Sequence, residues 1–391
     1  MPVSSTGFSF CIKYSIMNKG GNMLPFVRMV KYGNIAPVPK KIKKVIAGYD
    51  NLYVLYGDGS LYGCGINNYQ QLNIDGTATQ NNWVLITNGV SNAWAGGYNI
   101  LYLKEDKFIM HGTNVSLGLG NTTIPLGGVD VTSSFPDISN IKMISIGFDS
   151  MHYVSADGTT VYGRGMNTNG SVGSGSTYSQ STFTSVLNNG TNQVIDIFGN
   201  VNNTVLLTSN GELRACGTSA YGSIGNETGK WTSFGLKLSG TKIMGGNGYS
   251  TLAYTNSGMY HSGWQLNGEL GNGLDTNVQV YPFQFNSKTI DSKIDKIAKS
   301  SSGSYVNMYS TTEGKIYTTG SFGKNGSTTA LNLFTNTLTL INYNPDTASL
   351  YTCTNFSVVY DGNETIAVSG SPTYVPGGVA ANRWTTIPLP K

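Results

Sequence analysis

VIAGYDNLYVLYGDGSLYGCGINNYQQLN, residues Val45 to Asn73, contains the elements that decide the fold. It opens on a short run ending in two small residues, Ala47-Gly48. Tyr53-Val54-Leu55-Tyr56 follows, rich in the aromatic and β-branched side chains of a half-buried or buried strand. Asp58-Gly59 then supplies the positive φ of a short hairpin turn. Leu61 to Gly65 forms a third run ending on glycine, and a polar loop with one embedded apolar residue, Leu72, leads to a fourth, Trp83-Val84-Leu85-Ile86.

The same order returns at Met143 to Gly175, Val194 to Asn226 and Ile243 to Gly273, more weakly at 91–120 and 293–326, and in degenerate form at 350–371. Seven copies of about 50 residues therefore run from Lys43 almost to the end, and a fixed period of this length marks a closed or stacked repeat architecture. Asp157-Gly158, Asn210-Gly211, Ser257-Gly258, Glu313-Gly314 and Asp361-Gly362 repeat the turn, whereas the second copy has Glu105-Asp106-Lys107 and needs a different one. Ala95-Gly96, Ile146-Gly147 and Gly245-Gly246 repeat the small residues, which are required where strands converge on a common axis. Four antiparallel strands per copy make a propeller blade. The fold expected is all-β: a seven-bladed β-propeller over residues 43–391, preceded by a non-repeat N-terminal arm, 1–42. No stretch of more than about ten residues holds a 3.6-residue apolar period free of Gly and Pro, so helix is expected only at loop tips.

The string of small residue and Gly, strand, Asp-Gly, strand, then x-Gly-x-Asn-x-x-Gly-x-Leu-Gly resembles the repeat of the regulator of chromosome condensation family. Val45 to Leu72, Ile144 to Gly173, Val194 to Gly225 and Ile243 to Gly271 carry the resemblance best. It implies a seven-bladed propeller. The chain departs from the family's eukaryotic members, whose blades carry a histidine after the innermost strand and a tryptophan before the strand-end glycine. Here the first position holds Asn51, Ser150 and Ser250, and the second Cys64, His111, Arg164, Cys216, Ser262 and Thr319. Exchange activity on a small GTPase, known in one branch, rests on surface loops and an inserted wedge that these residues do not match.

A ring must be closed. Asn382 to Pro390 reads as the fourth strand of a module with no successor, and Phe26 to Val30 is the other candidate, either one completing a blade that holds the other terminus's strands.

Only 11% of the 391 residues are charged, about half the usual share, while Gly (51), Asn, Ser, Thr and Tyr abound. A net charge of +4 without a basic stripe argues against nucleic-acid binding. Lys40, Lys41, Lys43 and Lys44 read as a solvated approach to the first strand. The N-terminus lacks the pattern of a secretory signal and no run approaches a membrane span, so synthesis in a cytoplasm without membrane insertion is expected. Cys64 and Cys216 share one position in their modules and read as small buried side chains.

Candidate chemistry is sparse. His111, His152 and His261 fall in different modules, which argues against a catalytic or zinc set. Gly320-Ser321-Phe322-Gly323-Lys324 lacks the spacing of a phosphate loop. No catalytic residue, metal ligand or cofactor is assigned. Loop aromatics are the better binding candidates: Tyr69 and Tyr221 at equivalent positions, with Trp264 and Phe322 in neighbouring loops. They suit a sugar or protein partner, or else they pack against the adjoining blade.

Low charge, the Asn/Gly/Ser/Thr/Tyr-rich surface and the missing signal point to a non-enzymatic structural or adhesive virion protein of a bacteriophage, in the tail, collar or capsid surface. Its partners would be other virion proteins, reached through the N-terminal arm, and a host-surface glycan or protein. The alternative is a cytoplasmic interaction scaffold or small-GTPase exchange regulator.

Overall fold

The structure, a computed structural model, describes residues 14–17, 23–26 and 40–391, apart from 120–121, 220, 227–228, 289, 292, 378–382 and 391. The chain divides into a unit of residues 1–40 and a unit of residues 41–391. In the first, Tyr14–Met17 and Met23–Phe26 pair as an antiparallel hairpin. The expected docking of the arm, and residues 27–30 of the candidate closing strand, lie outside the described residues.

The second unit is a seven-bladed β-propeller of four-stranded antiparallel sheets. Blade 1 contains Ile42–Ala47, Asn51–Tyr56, Leu61–Gly65 and Gln80–Thr87, from innermost to outermost strand. Blade 2 contains Val90–Gly96, Asn99–Lys104, Lys107–His111 and a two-residue outer strand, Val129–Asp130. Blades 3 to 6 occupy 141–188, 194–238, 241–285 and 294–339, and blade 7 is Ser349–Thr352, Phe356–Tyr360, Ile366–Gly370 and Thr385–Thr386. Among the described residues the only helical segments are four short 3-10 turns.

Each second strand lies between two others of its sheet and is covered by a neighbouring blade on both faces, so alternation gives way to burial throughout, as in Asn51–Tyr56. The converging inner strands explain the glycines: a Cβ on Gly96 would stand 1.7 Å from the Ile146 carbonyl oxygen. A bulge displaces the register of the innermost strand in blades 1 to 6, between Ile42 and Lys44 in the first. This extra residue, which raises local twist, has no marker in the sequence. In blade 2, Glu105 (φ 49°) and Asp106 (φ 59°) are both left-handed, the conformation of a two-residue type I′ turn closing on Lys104 and Lys107.

In blades 3 to 7 the position before the third-strand glycine ties one blade to the preceding one, whereas Cys64 Sγ donates to the Leu52 carbonyl of its own blade. Arg164 Nη2 donates to the Leu117 carbonyl (2.8 Å), Cys216 Sγ to Ser171 (3.4 Å), Thr319 Oγ1 to Gly268 (2.6 Å) and Ser369 Oγ to Gly323 (3.0 Å), each in the preceding blade. Hydrogen-bond donors, three of them short and one the long Arg164, thus fill the place where the resembling family has tryptophan. Cys64, Cys216 and Cys353 are buried free thiols.

Every blade is built from one contiguous stretch of chain. The C-terminal strand completes blade 7 with strands from its own end, and no described blade mixes the two termini. Blades 7 and 1 meet side by side instead. Tyr56 Oη donates to the Pro390 carbonyl (3.0 Å), Trp83 Nε1 to Pro388 (2.7 Å) and Tyr351 Oη to Val45 (3.2 Å), around a shared core of Val45, Leu52, Val54, Phe356, Val358 and Ile387.

The lysine approach is only partly solvated. Lys43 is exposed and donates to the Ser91 carbonyl, whereas Lys44 turns inward over the Trp94 ring and donates to the Ala93 carbonyl (2.7 Å). Burial, then the charge of Lys43, lowers its pKa to about 8.

Candidate functional site: an aromatic face

The loop from innermost to second strand and the loop from third to outer strand emerge at the same end of each antiparallel blade. At the inner loops the backbone runs from blade to blade: Tyr49 N donates to Gly97 O (2.8 Å), Phe148 N to Asn200 O (3.0 Å), Gly248 N to Ser302 O (3.0 Å) and Thr354 N to Tyr49 O (3.3 Å). This girdle needs close backbone approach. Gly248, for example, has room for no side chain without pressing on Val201 Cγ2 (3.1 Å) and the Gly303 backbone (3.3 Å).

Directly after the small residues stands an aromatic side chain in five of the seven blades: Tyr49, Tyr98, Phe148, Tyr249 and Tyr305, all half-buried. Tyr49, Tyr98 and Phe148 form one cluster, with centroids 4.8 Å (Tyr49–Tyr98), 5.9 Å (Tyr49–Phe148) and 5.1 Å (Tyr98–Phe148) apart. Tyr249 and Tyr305 stack at 4.9 Å and 17° in a second. Burial first, then the hydroxyls of Tyr305, Tyr221 and Tyr49, hold the Tyr249 phenol above its ordinary range.

Three of the four aromatics expected from the sequence join these clusters. Tyr69 reaches Tyr98 of the next blade (4.9 Å), and Tyr221 stacks on Trp264 of the next blade at 4.6 Å and 10°. Trp264 in turn meets Tyr305 (6.0 Å), and its Nε1 donates to Asn277 Oδ1 (2.7 Å). All three pack on an adjoining blade while keeping part of their surface open. Phe322 stands apart from the stacked rings, 62% exposed. The inner-loop aromatics carry a usable signal in the sequence, since each follows a small residue, glycine in four blades and Ser304 in the fifth, close behind the innermost strand.

Buried acidic groups sit in the same loops. Asp50, 2% exposed, accepts from Asn355 N (2.8 Å) and Asn355 Nδ2 (2.7 Å), bridging blades 1 and 7. Burial pushes its pKa up to about 6, against those hydrogen bonds and the Lys324 charge. Asp149 accepts from Asn169 Nδ2 (3.1 Å) and is also pushed up to about 6 by burial. Glu269, fully buried, is pushed up to about 7 for the same reason. Lys324 donates to the Thr354 carbonyl (2.8 Å), lies over the Tyr305 ring, and is lowered by its burial.

The histidines are enclosed in blades 2, 3 and 5. His111 Nε2 meets the Tyr102 hydroxyl (3.0 Å) and His152 Nε2 the Val172 carbonyl (3.1 Å), and burial lowers all three to about 4. They are neutral at pH 7 and belong to three different blades. The face therefore offers rings, amides and buried carboxyls, the equipment of recognition.

This geometry defines a seven-bladed propeller with an aromatic loop face. No protein-family model matches the chain, and no curated protein does. Among solved structures it is similar to Prp20p of Saccharomyces cerevisiae, at 16% identity and a TM-score of 0.70 over 86% of this chain and 87% of that one. That protein was described with its binding properties to Gsp1p and histones, and a second structure shows it, as yeast RCC1, bound to Kap60. Human WBSCR16 is similar at 13% identity and a TM-score of 0.65 over 91% and 90% of the two chains. At these identities the likeness concerns the fold, and it agrees with the repeat resemblance.

Proposed function

We propose that the chain is a non-enzymatic binding scaffold whose working surface is the aromatic loop face, and that it serves as a surface component of a bacteriophage particle. The observation that carries the scaffold reading is the double cluster of half-open rings on one face. Rigid aromatic side chains give large contact area at low entropic cost and anchor protein interfaces. Their backbone is fixed by the inter-blade girdle, so a partner meets a preformed surface. The particle reading is supported by the low charge and the Asn/Gly/Ser/Thr/Tyr-rich surface, with the N-terminal arm as attachment to other virion proteins.

Mass spectrometry of particles purified from the source culture, alongside pull-down from host lysate, tests the proposal. Stoichiometric presence in particles is the expected result. Absence from particles, with capture of a small GTPase whose nucleotide release the chain accelerates, would overturn it in favour of an exchange regulator.

A further inference from the structure

Blade 2 departs from the repeat. Where blades 3 to 6 have outer strands of 7 to 9 residues, its own stops after Val129–Asp130. The chain instead makes two 3-10 turns, Thr132–Ser134 and Ile138–Asn140. A face of blade 3 that a full strand would cover is left as a cavity of about 480 Å³, lined by Ser133, Ser134, Phe135, Pro136, Tyr153, Tyr162, Thr182 and Phe183.

Four rings line it: Phe135 and Tyr153 are buried, 9% and 7% exposed, while Tyr162 and Phe183 are half-open and present the surface a ligand would meet. Tyr153 and Tyr162 are cross-strand partners and stack at 4.7 Å and 13°. Phe183 stands edge-on to Tyr153 (4.8 Å, 73°) and lies 4.9 Å from Phe135. The remaining polar side-chain chemistry is hydroxyl, from Ser133, Ser134, Thr182 and the two tyrosines, and among the described residues no charged side chain lines the cavity. Beside Phe183, with its guanidinium carbon 5.4 Å from the ring centre, sits Arg164, 3% exposed. Its Nη2 donates to the Leu117 and Ser181 carbonyls, but Nε and Nη1 are buried without a hydrogen-bond partner.

We propose that this cavity binds a sugar ring of a neutral glycan. A pyranose has apolar C–H faces that lie flat on aromatic rings and a rim of hydroxyls that both donate and accept. Serine, threonine and tyrosine hydroxyls answer that rim in either sense. An apolar peptide side chain would use the rings yet strip water from the hydroxyls without replacing it, which is unfavourable. A cationic ligand would face the uncompensated Arg164 guanidinium beside Phe183, with no carboxylate in the lining to offset it. The site is separate from the aromatic loop face, so either assignment can fail while the other stands.

The full chain is probed on a glycan microarray of neutral, acidic and amino-sugar glycans, and the best binder is followed by saturation-transfer NMR. A neutral glycan is expected to bind. Tyr162→Ala should weaken it about tenfold or more, the equivalent of about 1.4 kcal/mol. Thr182→Arg, at an exposed rim position that leaves the core untouched, should do the same, while Ile341→Ala, at an exposed position between blades 6 and 7, leaves binding intact. Thermal melting of each variant separates lost binding from lost folding. Absence of binding across the array, preference for cationic amino sugars, unchanged affinity in Thr182→Arg, or selection of an apolar peptide by this cavity from a displayed library would each overturn the assignment.

Discussion

Replacing Glu269 by Gln should stabilise the propeller, chiefly at neutral to alkaline pH. Glu269 occupies the place in blade 5 that Gln71 occupies in blade 1. Gln71 Oε1 accepts from Tyr69 N (2.9 Å), as Glu269 Oε2 accepts from Asn267 N (2.6 Å), and both side chains are fully buried. Glu269 Oε1 has no partner from another residue. Burial therefore lifts its pKa from 4.5 to about 7. Because the folded-state value is raised, the folded protein binds more protons between these limits, and stability is highest below pH 4.5 and falls as pH rises through 7. At roughly 1.4 kcal/mol per pKa unit the full shift corresponds to about 3 kcal/mol, of which structural relaxation leaves about 2. Urea denaturation of wild type and Glu269→Gln at pH 5 and pH 8.5 provides the assay. The variant should gain about 2 kcal/mol at pH 8.5 and only about 0.5 kcal/mol at pH 5. An equal gain at both pH values, or a loss at pH 8.5, would refute the reasoning.

Three further outcomes follow from the backbone. Asp106→Gly removes the strain of a left-handed non-glycine residue in the blade 2 turn and should add about 1 kcal/mol in denaturant unfolding. Gly96→Ala drives a Cβ into the Ile146 carbonyl and should destabilise by more than about 4 kcal/mol, read as loss of soluble, cooperatively melting protein. Truncation after residue 380 deletes the outer strand of blade 7, the buried Ile387 and the carbonyls that receive Trp83 and Tyr56, and should abolish cooperative melting; an unchanged transition would contradict closure by the C-terminus.

The blades were legible because each carries its own local signals: Asp-Gly turns where φ is positive, small residues at the axis, and even the exceptional turn at Glu105-Asp106. Features set by contact between blades were not. Lys44 looks like part of a solvated basic run, yet the innermost-strand bulge turns it over Trp94. Cys64 and Cys216 were read correctly as buried, but the blade-to-blade hydrogen bond made from this position appears only once the preceding blade's carbonyls are in place. Of the site, Tyr69, Tyr221 and Trp264 were visible as loop aromatics. Their inner partners Tyr49, Tyr98 and Tyr249 were hidden in runs whose glycines had already been explained by packing. The blade 2 cavity had no signal, since it arises where the repeat breaks.

A structure of the chain in its native assembly tests the account most directly. The partner should cover the aromatic loop face, with Tyr69, Tyr221, Trp264 and Phe322 losing solvent exposure together. A partner seated elsewhere, leaving that face open to solvent, would contradict the assignment of the face as the working surface.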